Sequence, residues 1–215
     1  MTNEEYIGQH CRDDVRALAL GRVEPGVDMR WCLQQIEGWQ RAVEKLPRWA
    51  AQTGIWYPPA LSMEQCSGEW AAEYKRSVVE RLLSCAGDRR TFVDLTGGYG
   101  IDFSYLAPLF AKAVYVERNP ELCCIAEHNF SVMGIDDSAV ICADSIEYLN
   151  TLTGACSLVF LDPARRDSIG RKTVAIEDCT PNIVGMQTRL LGLCRYAVIK
   201  LSPMLDITAA LSSLR

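Results

Sequence analysis

Residues 91–102 read Thr-Phe-Val-Asp-Leu-Thr-Gly-Gly-Tyr-Gly-Ile-Asp, and they decide the fold. Thr91, Phe92 and Val93 are β-branched or aromatic, and the run ends in Asp94. Gly97, Gly98 and Gly100 then form a turn, and an amphipathic segment starts at Ile101. Strand, glycine turn and helix in that order bring backbone close to a nucleotide-like ligand. Glycine suits the turn because it accepts positive φ and has no Cβ to block an approach. The turn is not the dinucleotide fingerprint, since Phe103 stands where the third glycine belongs. It is not a P-loop, since no Gly-Lys-Ser/Thr follows.

Outward from this stretch, strand and helix patterns alternate. Apolar runs at 91–95, 113–117, 138–142, 157–161 and 195–201 predict strands. Segments near 101–111, 120–133, 145–151 and 181–193 predict helices. Asn119 with Pro120, Asp144 with Glu147, and Thr180 with Pro181 read as helix starts, and Gly134 as a stop. This predicts an α/β fold: a mostly parallel, Rossmann-like sheet with right-handed crossovers and helices on both faces. Before residue 91 the pattern is helical. An amphipathic stretch spans 9–20. A helix at 29–46, capped by Asp28, carries Cys32, Ile36, Trp39, Val43 and Leu46 as its buried stripe. A third helix runs from a Ser62–Gln65 capping box to about Leu83. The expected organisation is a helical lobe at 1–60, a stiff Tyr57-Pro58-Pro59 connector, and a ligand-binding domain at 61–215.

Ligands of such sheets bind beyond the carboxyl ends of the strands, and chemistry stands there. Glu117 follows the second strand. An acid at that place can accept both hydroxyls of a ribose, although it also suits a helix N-terminus. Asp144 follows the third strand and can cap a helix with one carboxylate oxygen while leaving the other free. Asp162-Pro-Ala-Arg-Arg-Asp167 follows the fourth, and Arg165, Arg166, Arg171 and Lys172 cluster there. A guanidinium can stack on a base, and clustered cations pair with phosphates.

Composition narrows the alternatives. The 215 residues are 49% hydrophobic and 23% charged, as in an ordinary globular protein. A net charge of −5 argues against sequence-independent coating of nucleic acid, though not against a local basic site. With no transmembrane run and an acidic N-terminus, the expectation is a cytoplasmic protein without membrane or obligate protein partner. The ten cysteines form no C-x-x-C, and only His10 and His128 accompany them, so a zinc site is not expected. The loop after the fifth strand, Lys200-Leu-Ser-Pro-Met, lacks the cysteine that base C5 methylation needs.

The acid and Gly-Gly-x-Gly turn resemble motif I of class I S-adenosylmethionine (SAM) methyltransferases. Asp162-Pro163 resembles the Asp/Asn-Pro-Pro-Tyr motif of those that modify exocyclic amines of bases. The order of motifs resembles a bacterial class I family that carries a THUMP-like domain at its C-terminus. That resemblance runs along nearly the whole chain. It includes Lys45-Leu46-Pro47-x-Trp49, Leu61-Ser-Met-Glu-Gln-Cys-Ser67, Tyr74-Lys75, residues 94–102, Asp162–Asp167 and Lys200-Leu-Ser-Pro-Met-Leu-Asp206. The glycine turn and the helix running to Gly134 are more loosely similar to trimethylguanosine synthase, which methylates guanine N2.

The resemblance implies SAM as cofactor, S-adenosylhomocysteine as its product, and no metal. It implies a cofactor site of Asp94, Thr96, Gly97, Gly98, Gly100, Asp102, Glu117, Arg118, Asp144 and Ser145, with Asp144 accepting the adenine amino group. Asp162, and the carbonyl beside Pro163, would accept hydrogens of a target NH2 and so align its lone pair; catalysis of this kind is largely positioning. Ala164 replaces the second proline and Arg165 the aromatic, which leaves the target atom open. Arg165 would stack on the base, Arg166 and Arg171 would pair with phosphate, and Gln65 and Ser67 would line the mouth. An RNA substrate, rRNA or tRNA, follows from the THUMP-like association. Only fifteen residues follow Lys200, so a chain lacking the last strands of the sheet is expected. The reading is a methyltransferase of an exocyclic amine of an RNA base, guanine N2 or adenine N6. A methyltransferase of protein or small molecules, and a non-catalytic SAM-binding module, are the alternatives.

Overall fold

The computed structural model describes residues 1–164 and 175–214. Five parallel strands lie in the order β3-β2-β1-β4-β5: β1 Thr91–Asp94, β2 Lys112–Glu117, β3 Ser138–Cys142, β4 Cys156–Leu161 and β5 Cys194–Ile199. Each lies within two residues of its predicted span. Side chains alternate across the sheet, as a period of two demands. Phe92, Tyr115, Leu158 and Phe160 join one core, with Phe103 and Phe130. Val93, Val116, Val159 and Leu161 join another on the opposite face, with Ile183 and Leu190. The first core is covered by α6 (Glu69–Ala86), α7 (Ile101–Leu106) and α8 (Pro120–Val132). The second is covered by α9 (Ser145–Thr151) and α10 (Ile183–Leu193).

The N-terminal helices are α1 Asn3–His10, α2 Val15–Ala19, α3 Met29–Lys45, α4 Pro47–Ala51 and α5 Ala60–Gln65. Ala42, Leu46, Trp49, Tyr57 and Met63 form a third core with Tyr99 of the glycine turn, Tyr105 of α7 and Ile125 of α8. Buried Asn129 ties the two parts by accepting from Trp56 N at 2.8 Å and donating to Trp56 O at 2.9 Å. The N-terminal helices thus pack against the turn that follows β1.

Several local expectations are corrected. The stretch at 9–20 is parts of two helices. Thr2 and Glu5 form a capping box that starts α1 early, and Asp14 accepts from Ala17 N at 2.8 Å to restart the chain as α2. The helix from Ser62 is also two. Ser62 lies inside α5, and the chain breaks at Cys66–Gly68 before α6. The break lets Ser67 turn inward onto Asp102. On α3 the buried face runs through Gly38 and Ala42, while Val43 is exposed. Gly38 is required there, since a Cβ would sit 2.2 Å from Tyr57 Cβ. Thr180 cannot start α10, because it pairs with Ala164 in an antiparallel bridge, and Asn182 caps the helix instead. The last helix, α11, is Ile207–Ser213, capped by Asp206.

Candidate functional site

Strand order brings the sequence-predicted acids into one row. Asp144 lies beyond β3, Glu117 ends β2, Asp94 ends β1, and Asp162 lies beyond β4. Neighbouring strands are about 4.8 Å apart, so the four positions span roughly 14 Å along the carboxyl edge. The glycine turn rises from the middle of this row.

The turn is held from below. Gly97 N donates to Val116 O at 2.9 Å, and Tyr115 Oη donates to Gly98 O. The glycines serve different ends. A Cβ on Gly97 would lie 2.1 Å from the Tyr115 ring, and one on Gly100 would lie 2.8 Å from Phe130. Their smallness is demanded by the core. Gly98 differs: its φ is +55°, and the space where a Cβ would point holds only Thr96 O, at 3.8 Å. The surface over Gly98 is therefore open.

Glu117 accepts from Gly98 N at 3.0 Å through Oε2 and from Asn119 N at 2.9 Å through Oε1. Each oxygen keeps a lone-pair direction for a further donor. Asp144 caps α9 through Oδ1 alone, accepting from Ile146 N and Glu147 N. Ser145 Oγ donates to Leu95 O at 2.6 Å. Arg118 is exposed.

Asp94 is 1% exposed and accepts from Thr96 N at 2.9 Å. Burial pushes its carboxyl well above the usual carboxylate range, and the negative charges of Asp102, Asp162 and Glu117 push the same way. Thr96 Oγ1 in turn accepts from Asp162 N at 2.6 Å. The ends of β1 and β4 are therefore coupled through Thr96. Pro163 is buried beside it, and Ala164 and Thr180 exchange backbone hydrogen bonds of 2.8 and 2.9 Å. Arg165, Arg166 and Arg171 lie outside the described residues.

Two lysines enter that sequence reasoning gave no role. Lys200, beyond β5, forms an ion pair with Asp162 Oδ2. Lys75 of α6 forms one with Asp102 Oδ1, with side chains 13% and 10% exposed. Ser67 Oγ accepts from Lys75 at 2.7 Å and donates to Asp102 Oδ2 at 2.7 Å. Asp102 is thus turned to an internal network, and Ser67 with it. Gln65 is exposed at the end of α5. Burial lowers the Lys75 ammonium, with Asp102 opposing. The signals were present: Lys75 sits on the stripe of Ala72 and Val79, where an unpaired charge would not be tolerated, and Lys200 directly follows an apolar strand.

No family model and no curated protein matches the chain. Among solved structures, the chain is similar to the crystal structure of a candidate methyltransferase from Porphyromonas gingivalis W83. The two are 32% identical with a TM-score of 0.80, over 99% of this chain and 51% of that one. The chain thus spans about half the length of that relative. Slighter likenesses are to an rRNA methylase from Streptococcus thermophilus (15% identity, 52% and 61% coverage, TM-score 0.41) and to a candidate methyltransferase from Streptococcus mutans in complex with SAH (13%, 51% and 61%, 0.41). These two share too little of the architecture to bear on function. With its parallel five-stranded sheet, flanking helices and close superposition on the first of these structures, the chain has the Rossmann-like methyltransferase fold.

Proposed function

We propose that the chain is the SAM-binding part of a methyltransferase that modifies an exocyclic amine of an RNA base, guanine N2 or adenine N6. The row Asp144, Glu117, Asp94, Asp162 beneath one glycine turn carries this reading. Its length of roughly 14 Å suits an extended nucleoside with an amino-acid tail. The residues fit the cofactor: Glu117 has acceptor capacity left for ribose hydroxyls, Asp144 has an oxygen outside its cap, and the surface over Gly98 is open to a ligand. Glu117 would hold the ribose and Asp144 the adenine amino group, with Arg118 and Ser145 beside them. The glycine turn would face the methionine part through Thr96 and Gly98, and Asp94 would lie beneath its ammonium and the ribose. When bound, SAM would supply an electrophilic methyl group on a sulfonium with S-adenosylhomocysteine as the leaving group, and the amine would give up one N–H proton.

The chain's own part in the chemistry is positioning. The Asp162 carboxylate would accept one hydrogen of the target NH2 and the Pro163 segment another, which directs the lone pair at the methyl group. Arg165 would stack on the base, and Arg166 and Arg171 would pair with phosphate. The motif order supports the bacterial family with a THUMP-like domain and, more loosely, the trimethylguanosine synthase type. In this reading 1–60 is a helical lobe beside the cofactor domain at 61–215.

The test uses the protein with isotope-labelled SAM and total RNA from a strain lacking its gene. Nucleoside mass spectrometry should find the label in N2-methylguanosine or N6-methyladenosine. Label appearing only in protein or metabolites would move the function to the corresponding alternative. Label in a 2′-O-methyl or 5-methyl product would contradict the amine reading.

A further inference from the structure

We propose that Lys200 is the positioning residue of the acceptor site: its ammonium grips one oxygen of Asp162 and leaves the other turned to the acceptor N–H. This rests on the reading of Asp162 given above. The parallel register pairs Leu161 with Ile199, so the next residues on each strand, Asp162 and Lys200, stand side by side across the β4–β5 junction. Lys200 N donates to Leu161 O at 2.8 Å, which fixes the lysine backbone at the place its side chain needs. The ammonium then pairs with Asp162 Oδ2. Asp162 N is held separately by Thr96 Oγ1 at 2.6 Å. Backbone and carboxylate of Asp162 are thus each anchored. Among the described residues, Oδ1 receives no hydrogen bond.

Asp162 needs this help. Burial pushes its carboxyl up, and the charge of Asp102 on α7 pushes it further. Asp94 at the end of β1 lies close enough to interact with it as well. Lys200 opposes these effects most strongly, and Lys75 on α6 adds a smaller contribution. Arg165, Arg166 and Asp167 follow in sequence, outside the described residues. A protonated Asp162 would hold a hydrogen on an oxygen that must accept one. A carboxylate freed from Lys200 would also gain rotational freedom and lose its aim. The pair is partly open, with side chains 31% and 32% exposed, as a group that must meet a substrate requires.

The experiment follows the Asp162 carboxyl by 13C NMR against pH in the whole chain, with Asp162→Asn to assign the signal. In Lys200→Met and Lys200→Gln the titration midpoint should rise by about one pH unit or more, the usual effect of removing a close opposite charge. Lys200→Arg should bring it back towards the unsubstituted value. Midpoints unchanged in both neutral variants would overturn the proposal, because an ammonium that holds the Asp162 carboxylate in its charged form cannot be removed without raising its midpoint. Calorimetry with S-adenosylhomocysteine on the same proteins reads the other half. Affinity within a few-fold supports a role on the acceptor side, and a loss of tenfold or more in the neutral variants would place Lys200 in the cofactor site and overturn it. Failure of the unsubstituted protein to bind S-adenosylhomocysteine would overturn the methyltransferase reading itself, independently of the titration.

Discussion

At the residue scale, the glycine turn separates what the fold needs from what a ligand needs. Gly97 faces the Tyr115 ring and Gly98 faces open space. Gly97→Ala should therefore destabilise the chain by about 3 kcal/mol, the cost of forcing a methyl group into a packed core. Gly98→Ala should cost about 1–2 kcal/mol, the penalty of a left-handed backbone. Chemical denaturation of both variants checks the order; a Gly98→Ala variant less stable than Gly97→Ala would contradict it. Asp94 gives a pH-dependent prediction. Its carboxyl is raised in the folded state, so the stability it contributes is full below its unfolded value of about 3.9 and is lost as pH rises towards the folded value. Asp94→Asn keeps an acceptor for Thr96 N and removes the ionisation. Its stability relative to the unsubstituted chain should increase as pH rises from about 4. A difference independent of pH, measured by urea unfolding, would contradict the burial argument.

At the scale of elements, the strands and the helices directly between them were legible because both signals are local. Phe92 and Val93 alternate across the sheet, and Asn119-Pro120 and Asp144 start α8 and α9 as their chemistry demands. The errors arose where a distant partner decides. Ser67 breaks the helix expected from Ser62 because Asp102 and Lys75 claim its hydroxyl. Gly38 rather than Val43 turns inward because Tyr57 packs on it. Thr180 loses its capping role to Ala164. The candidate site followed the same division: the acids were legible from their strand ends, whereas the pairing of Lys200 with Asp162 and of Lys75 with Asp102 on α7 is set by partners distant in sequence. Lys75 and Asp102 form the buried link between α6 and α7. Lys75→Met alone should cost about 3–5 kcal/mol, since it leaves Asp102 unpaired. Lys75→Met with Asp102→Leu should recover much of that loss. A double variant as unstable as the sum of both singles, measured by urea unfolding, would mean that the two side chains do not act as a pair.

At the scale of the molecule, one sheet orders four acids and a lysine along one edge, and the N-terminal helices pack against the turn above it. Among the described residues no helix is long and apolar enough to cross a membrane. In the proposed reading this edge binds SAM through Glu117 and the surface over Gly98, while Asp162 acts on the acceptor. Isothermal calorimetry with S-adenosylhomocysteine tests it most directly. The unsubstituted chain should bind, Glu117→Ala and Gly98→Val should weaken binding strongly, and Asp162→Ala should keep affinity within a few-fold. A chain that is folded by circular dichroism yet binds no S-adenosylhomocysteine at millimolar concentration, or that binds it equally well with Glu117→Ala, would rule out this edge as the cofactor site.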